Sequence, residues 1–392
     1  MNSNRTWTAP RTGAVAAVGL ALLVGACEKP AHLVEQTGYR GTGAQQVIRT
    51  KLEDKLRLAN VVPAPPYDLP PDDGGPRAGA EYQNVKVLQN LSVDQFNHLM
   101  AAITAWVAPP EQGCNYCHNP ENMASDAVYT KIVSRRMIQM TQNINNNWKS
   151  HVQATGVTCY TCHRGNAIPR NVWNETPDRF AMKASIRGQK TGQNTPGQSS
   201  VALASLPYDV FTPYLLQAQE IRLQGVAPNR VSTHSVPIAS AEGTYGLMMH
   251  MSNSLGVNCT YCHNSGNFQS WAGSQPARGV AWYGIRMVRE ANNNYINNLK
   301  GVFPANRLGP LGDPYKINCT TCHQGVAKPL YGVSMLKDYA GLRGAQTVPA
   351  VLQTPADLNA AAAADEAMGA GGPPASAPPA APLAVTPIAY RR

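Results

Sequence analysis

Four Cys-x-x-Cys-His units punctuate this chain: Cys114/Cys117/His118, Cys159/Cys162/His163, Cys259/Cys262/His263 and Cys319/Cys322/His323. They take up eight of the nine cysteines and leave Cys27 over. Two cysteines three residues apart sit on one side of a helical turn. Both can then add to the two vinyl groups on one edge of a porphyrin. A histidine directly after the second cysteine falls beneath the iron as proximal ligand. The pattern is that of c-type haem attachment. CxxC alone also serves redox dithiols and half-sites for zinc, but zinc takes four ligands from paired units and needs no histidine at once. Disulfides suit an exported chain. Four repeats with a common grammar point instead to four covalently bound haem c groups.

The grammar alternates. The first and third units read CNYCHN and CTYCHN, the second and fourth CYTCHRG and CTTCHQG. Leu99-Met100 and Leu247-Met248 lie upstream of the first and third units. Arg136-Met137 and Arg286-Met287 lie upstream of the second and fourth, each in an Asn-rich stretch with helical periodicity. The core therefore reads as two copies of a two-haem unit, residues 81–170 and 207–330, joined by a Gly/Ser/Thr-rich connector at 171–206. Asp126–Val152 is long and Pro-free, with apolar residues at helical spacing. Val280–Leu299 matches it, and Gly156 and Gly301 stop the two runs. No strong alternating strand pattern is present. The expected fold is mainly α with long irregular loops, in two pseudo-symmetric two-haem halves.

The flanks differ from this core. Arg5 and Arg11 precede an apolar run from Gly13 to Ala26, fourteen residues long. That is short of the roughly 20 needed to span a bilayer and reads as an export signal over residues 1–26. "LVGAC" then offers Cys27 for lipidation, and an extended arm follows over 27–80, with a short helix expected around Gln45–Leu58. Export places the chain in the periplasm, where c-type haem attachment is completed. The C-terminal segment, 331–392, ends in an Ala/Pro/Gly-rich tail from 345 that reads as disordered.

The formal charge of +10 suggests nucleic acid. The basic residues are scattered, however, and loss of the signal removes Arg5 and Arg11. Haem propionates would cancel about eight of the remaining positive charges. Nucleic acid binding is therefore not expected.

The sixth iron ligand decides the function class. A carrier closes that position with Met or His, whereas an enzyme leaves it open. Beyond the four motif histidines stand His32, His98, His151, His234 and His250. Met100 lies 18 residues before His118, Met248 15 before His263 and Met137 26 before His163. Met140 competes with Met137, and Met249, Met251 and His250 compete with Met248. For the fourth haem, repeat logic offers Met287. His151 has no counterpart, since the matching position is Gly301. It would lie about 21 Å along a helix from Met137, a fair offset between neighbouring haems.

The four motifs, the repeat, the "RRM…WKSHV…GVTCYTCHRG" stretch and the "VGAC" boundary resemble the tetrahaem cytochrome c subunit of purple bacterial photosynthetic reaction centres. The resemblance covers roughly residues 81–330. It implies the axial pairs Met100–His118, Met137–His163, Met248–His263 and His151–His323, with Met287 left to packing. It also implies an electron-transfer subunit rather than an enzyme, lipid-anchored on the periplasmic face of the photosynthetic inner membrane. Its partners would be the reaction centre L and M subunits, with a soluble cytochrome c or a high-potential iron–sulfur protein as donor. Its electrons would re-reduce the bacteriochlorophyll special pair, with the third-motif haem nearest. Two rival readings are a multihaem reductase, which needs one open iron, and a membrane quinol dehydrogenase, which needs a transmembrane anchor and mostly histidine ligands.

Overall fold

The computed structural model describes residues 31–36, 45–69, 74–175, 207, 209–221, 238–266, 268, 271 and 273–344. The expected signal peptide, Cys27, His234, most of the connector and the tail from 345 lie outside the described residues.

The described chain is helical with irregular loops and two small sheets. A hairpin of β1 (His32–Gln36) and β2 (Gln45–Arg49) pairs antiparallel, His32 opposite Arg49 and Gln36 opposite Gln45. It runs into α1 (Thr50–Ala59). The helix expected around Gln45–Leu58 therefore begins five residues late. Its first part is strand instead, because Val47 and Ile48 pair with Val34 and Leu33. Four of the five β2 residues keep some exposure and β1 is exposed throughout, so neither strand shows a clean in–out alternation. The second sheet is only Val172–Trp173 (β3) against Lys316–Ile317 (β4).

After a single turn, α2 (Ala78–Glu81), comes α3 (Val93–Val107). It starts at a capping box in which the Ser92 hydroxyl accepts from the Gln95 amide and the Gln95 side chain accepts from the Ser92 amide. The exchange satisfies two of the amides a helix start leaves orphaned. Its inner face buries His98, Leu99, Ala102 and Trp106, the period of one helix face.

The long run expected over Asp126–Val152 is two pieces, α4 (Tyr129–Asn147) and the single turn α5 (Lys149–Val152). The break is at Trp148 (φ −110°, ψ 34°), whose indole donates to Glu290 Oε2 at 2.9 Å. Gln153 (φ 54°) and Gly156 (φ 60°) then turn the chain towards α6 (Cys159–His163). Further on lie α7 (Ile238–Leu255), α8 (Pro276–Glu290) and α9 (Cys319–His323). Beyond Glu290 the helix widens to a π-turn over Ala291–Ile296 and tightens to a 3-10 turn over Asn297–Leu299. The π-turn carries Asn292 and Asn293, which bond to other segments.

Two apolar clusters hold these elements. One gathers Met140 and Ile144 of α4 with Tyr214, Leu215, Leu247, Ile285 and Met287. The other gathers Leu99, Ala102 and Trp106 of α3 with Ile138, Cys159, Leu336, Tyr339 and Leu342. The α4 helix thus feeds both. Residues 331–344 pack onto the second cluster through Met335, Leu336, Tyr339 and Leu342, with Leu342 and Leu336 at 0% and 3% exposure. No described helix is long and apolar enough to cross a membrane.

Candidate functional site

The two spellings of the motif are two backbone geometries. In the first and third, the cysteines sit on 3-10 turns, Gly113–Tyr116 and Cys259–Tyr261, and Cys114 and Cys259 are exposed. In the second and fourth they sit on the α-turns α6 and α9. Both α-turns have capping boxes, Thr158 with Thr161 and Asn318 with Thr321. Both end in a left-handed residue followed by glycine. Arg164 (φ 50°) precedes Gly165 (φ 79°), and Gln324 (φ 49°) precedes Gly325 (φ 87°). That φ pair explains the RG and QG spellings, since glycine meets no steric cost there. The freed glycine amides reach back to the preceding long helix. Gly165 donates to Trp106 O and Gly325 to Ser254 O, each at 2.8 Å.

An asparagine brackets the approach to each α-turn. Asn145 donates to Val157 O at 2.9 Å and accepts from Val157 N at 2.7 Å. Asn292 donates to Ile317 O and accepts from Ile317 N, both at 2.9 Å. Val157 and Ile317 each stand two residues before the first motif cysteine. The sequence alone does not mark these asparagines as functional residues. The signal was there in the Asn-rich helices, but their partners are backbone atoms that no side-chain pattern records.

Every motif histidine is held the same way. Nδ1 donates to a backbone carbonyl: His118 to Met123 O at 3.0 Å, His163 to Asn166 O at 2.9 Å, His263 to Phe268 O at 3.1 Å and His323 to Val326 O at 3.1 Å. The step is five residues in the first and third motifs and three in the second and fourth. An Nδ1–H engaged by a carbonyl leaves the Nε2 lone pair for a metal and fixes the ring plane. His151 shares the arrangement, with Nδ1 donating to Val280 O at 2.8 Å. The other buried histidines do not. His98 engages Tyr67 O through Nε2 at 3.1 Å and stacks on Tyr339. His250 Nε2 lies 3.3 Å from Ser254 Oγ. Burial lowers the pKa of His151 and His163 and brings His323 down to about 4. All three are neutral imidazoles at neutral pH, the form that can ligate.

The second and fourth motifs open on one largely apolar cavity of about 2730 Å³, which His151 and Met137 also line. Drug-sized ligand sites are typically about 300–1,000 Å³, so there is space for more than one large planar group. The His151 and His323 ring centroids are 6.0 Å apart, and Cys162 Sγ lies 2.8 Å from Cys322 Sγ. All eight motif cysteines are free thiols. Burial pushes the Cys159 and Cys319 thiols up to about 12, so they stay protonated at neutral pH. Among the described residues no three His, Cys, Asp or Glu side chains converge as a bare metal-ion site.

The methionines sort by burial. Met100, Met137 and Met248 are half-buried on α3, α4 and α7. Met140 and Met287 are buried among core side chains, although both also border the cavity. Met249 and Met251 are half-buried beside Met248. Three arginines of α4 and α8 have structural contacts. Arg136, buried, bonds to Gln139 and the Asn294 carbonyl and covers Tyr295. Arg286 covers Trp282, and Arg289 donates to Tyr214 O.

Four CxxC pairs, each beside a histidine whose Nδ1 is tied to a carbonyl and whose outer nitrogen is kept available, suit covalent haem. The chain is a multihaem c-type cytochrome. A family model described as the photosynthetic reaction centre cytochrome C subunit matches residues 28–343. The chain is 51% identical over 340 residues to the photosynthetic reaction center cytochrome c subunit of Rubrivivax gelatinosus, covering 86% of this chain and 90% of that one. It is 49% identical over 330 residues to the protein of that name from Thermochromatium tepidum, covering 84% and 79%. A more distant relative is cytochrome c-554 of Chloroflexus aurantiacus, at 26% over 286 residues, covering 60% and 67%. The chain belongs to the photosynthetic reaction centre cytochrome c subunit family. It is accordingly a haem c protein and an electron-transfer component of a membrane-associated reaction centre, not an enzyme.

Proposed function

We propose that this chain holds four haem c groups and passes electrons from a soluble periplasmic donor to the photo-oxidised bacteriochlorophyll special pair. Each CxxC pair holds one haem and its histidine supplies the proximal ligand. Met100, Met137 and Met248 close the irons of His118, His163 and His263, and His151 closes that of His323. The observation that carries this reading is the His151–His323 pair. Two neutral imidazoles, each with Nδ1 tied to a carbonyl, stand 6.0 Å apart between ring centroids. That separation leaves room for one iron between them.

Bound haem c supplies a one-electron Fe(III)/Fe(II) couple. The protein's part would be to supply a Met or His besides each motif histidine, so that little moves when charge changes. Thioether ligation favours Fe(II) and raises the potential relative to a second histidine. Mixed ligation therefore makes the haems unequal. An open iron, as a reductase needs, is not favoured when each motif has a half-buried Met or His to close it.

Residues 81–170 and 207–330 form the two two-haem halves, joined by 171–206. The paired capping boxes, glycine hooks and asparagine brackets support that division. Removal of residues 1–26 leaves Cys27 lipidated, with the arm 27–80 leading from the periplasmic membrane surface. The L and M subunits are the docking partners, and a small cytochrome c or a high-potential iron–sulfur protein is the donor. Flash excitation of membranes carrying His151→Met tests the assignment. One haem should gain potential and lose its two-histidine spectrum, while haem oxidation still tracks special-pair recovery. Four unchanged potentials would return the fourth site to Met287.

A further inference from the structure

His151 sits on a lone helical turn after the Trp148 break, with little of its own helix to orient it. What orients it is α8, the helix that follows the third motif. The Val280 carbonyl takes its Nδ1–H at 2.8 Å. One turn further along the same face is Gly284. A Cβ built there would lie 2.5 Å from His151 Cε1, 2.8 Å from Nδ1 and 3.2 Å from Nε2. Contacts below 3.0 Å are not tolerated, so the imidazole rests directly on the backbone of α8.

Gly284 has no other evident reason to be glycine. It is inside a regular helix, where glycine is the poorest residue after proline. It is absent from the positive-φ glycines. Three residues before Met287, it occupies the place that Ser134 holds before Met137. Ser134 has a Cβ, and its hydroxyl lies 3.4 Å from Cys117 Sγ. The glycine appears only in the helix that receives a histidine.

We propose that Gly284 and the Val280 carbonyl form a seat on α8 that fixes the tautomer and ring plane of His151, making both positioning residues for the sixth ligand of the fourth-motif haem. The inference rests on the reading of His151 as that ligand. The carbonyl keeps the proton on Nδ1 and the lone pair on Nε2. The notch lets the ring lie flat on the helix instead of tilting away from His323. The helix that runs up to the fourth motif thereby also orients the ligand that the first half sends across to it.

The test is Gly284→Ala in the full-length holoprotein, beside His151→Met and wild type. Low-temperature electron paramagnetic resonance and redox titration would be read for each haem. Gly284→Ala should shift the g-anisotropy and midpoint potential of the two-histidine haem and leave the Met-ligated haems where they are. A folded Gly284→Ala with every signal unchanged overturns the seat, even if His151→Met alters one haem. If His151→Met alters none, the ligand reading itself fails. Should Gly284→Ala not accumulate, the Gly284→Ala/His151→Met double variant decides. A flexible thioether clears the added methyl, so accumulation should return. A double variant that also fails to accumulate would show that Gly284 serves something other than the imidazole.

Discussion

Replacing Asn292 by alanine should loosen the fourth motif more than any single apolar truncation of one methyl group would. Asn292 is fully buried and makes three hydrogen bonds, to Leu215 O at 3.2 Å, to Ile317 O at 2.9 Å and from Ile317 N at 2.9 Å. At about 1 kcal/mol net each, their loss comes to about 3 kcal/mol. The Ile317 carbonyl keeps a second donor, the Trp173 indole at 3.0 Å, so it is not orphaned. The Ile317 amide is, which places the cost at the upper end of about 3–4 kcal/mol. That is more than a hundredfold in the folded-to-unfolded ratio, a large share of ordinary domain stability. Asn293→Ala is the internal control. Asn293 is half-buried and bonds to Leu216 O at 2.8 Å, so about 1 kcal/mol is expected. The assay is guanidinium unfolding of both purified holoproteins at constant denaturant slope. A loss for Asn292→Ala no larger than that for Asn293→Ala would refute the view that the Asn-rich stretches staple the motifs.

Two further changes probe other parts of the molecule. Replacing Cys114 and Cys117 together by alanine should remove one covalent haem, read by mass, while the other three attachments persist; an unchanged mass increment over the apoprotein would contradict four separate sites. Glu290→Gln should alter the pH dependence of stability. The half-buried Glu290 carboxyl accepts from Asn143 Nδ2 at 2.6 Å and Trp148 Nε1 at 2.9 Å, and desolvation, the largest influence, raises its pKa. Its unfolded value is about 4.3. Between that and the raised folded value the native state binds more protons, so stability falls as pH rises through the window. Glutamine keeps an acceptor for one of the two donors, sets its NH2 against the other and cannot titrate, so it should flatten that fall at some cost in stability; an unchanged slope in pH-dependent denaturation would show that Glu290 does not titrate there.

The motif cysteines were legible in the sequence because thioether chemistry depends on a three-residue spacing. The helices of Met100, Met137 and Met248 were legible too, since helical periodicity is local. The break at Trp148 was not. It depends on Glu290, 142 residues away, drawing on an indole that otherwise continues the apolar stripe. Nor could residues alone choose between His151 and Met287. The proposed choice of His151 leans on a carbonyl 129 residues further along the chain, which no residue pattern records. Residues 331–344 gave no periodic signal, because they pack as short 3-10 turns rather than as a long helix. The hairpin of β1 and β2 was invisible for a related reason. Alternation marks a strand only when one face is buried, and this one presents most of both faces to solvent.

The alternation in spelling and the alternation in environment have one physical origin. A motif on an α-turn must satisfy its starting amides, leave the helix through a left-handed residue and anchor the released chain. Thr or Asn at the start, Thr at the third position and glycine after the histidine meet those demands in the second and fourth motifs. They also tie each turn to a long helix, α6 to α3 and α9 to α7, so the cysteines and histidines share an interior cavity. The first and third motifs use tighter 3-10 turns with a five-residue step from histidine to carbonyl, and their leading cysteines remain exposed. A redox centre in the rigid interior reorganises little when its charge changes, while one at the surface can be approached by another protein. The proposed relay between a soluble donor and a membrane acceptor needs both kinds, and the two backbone geometries provide them within a single chain.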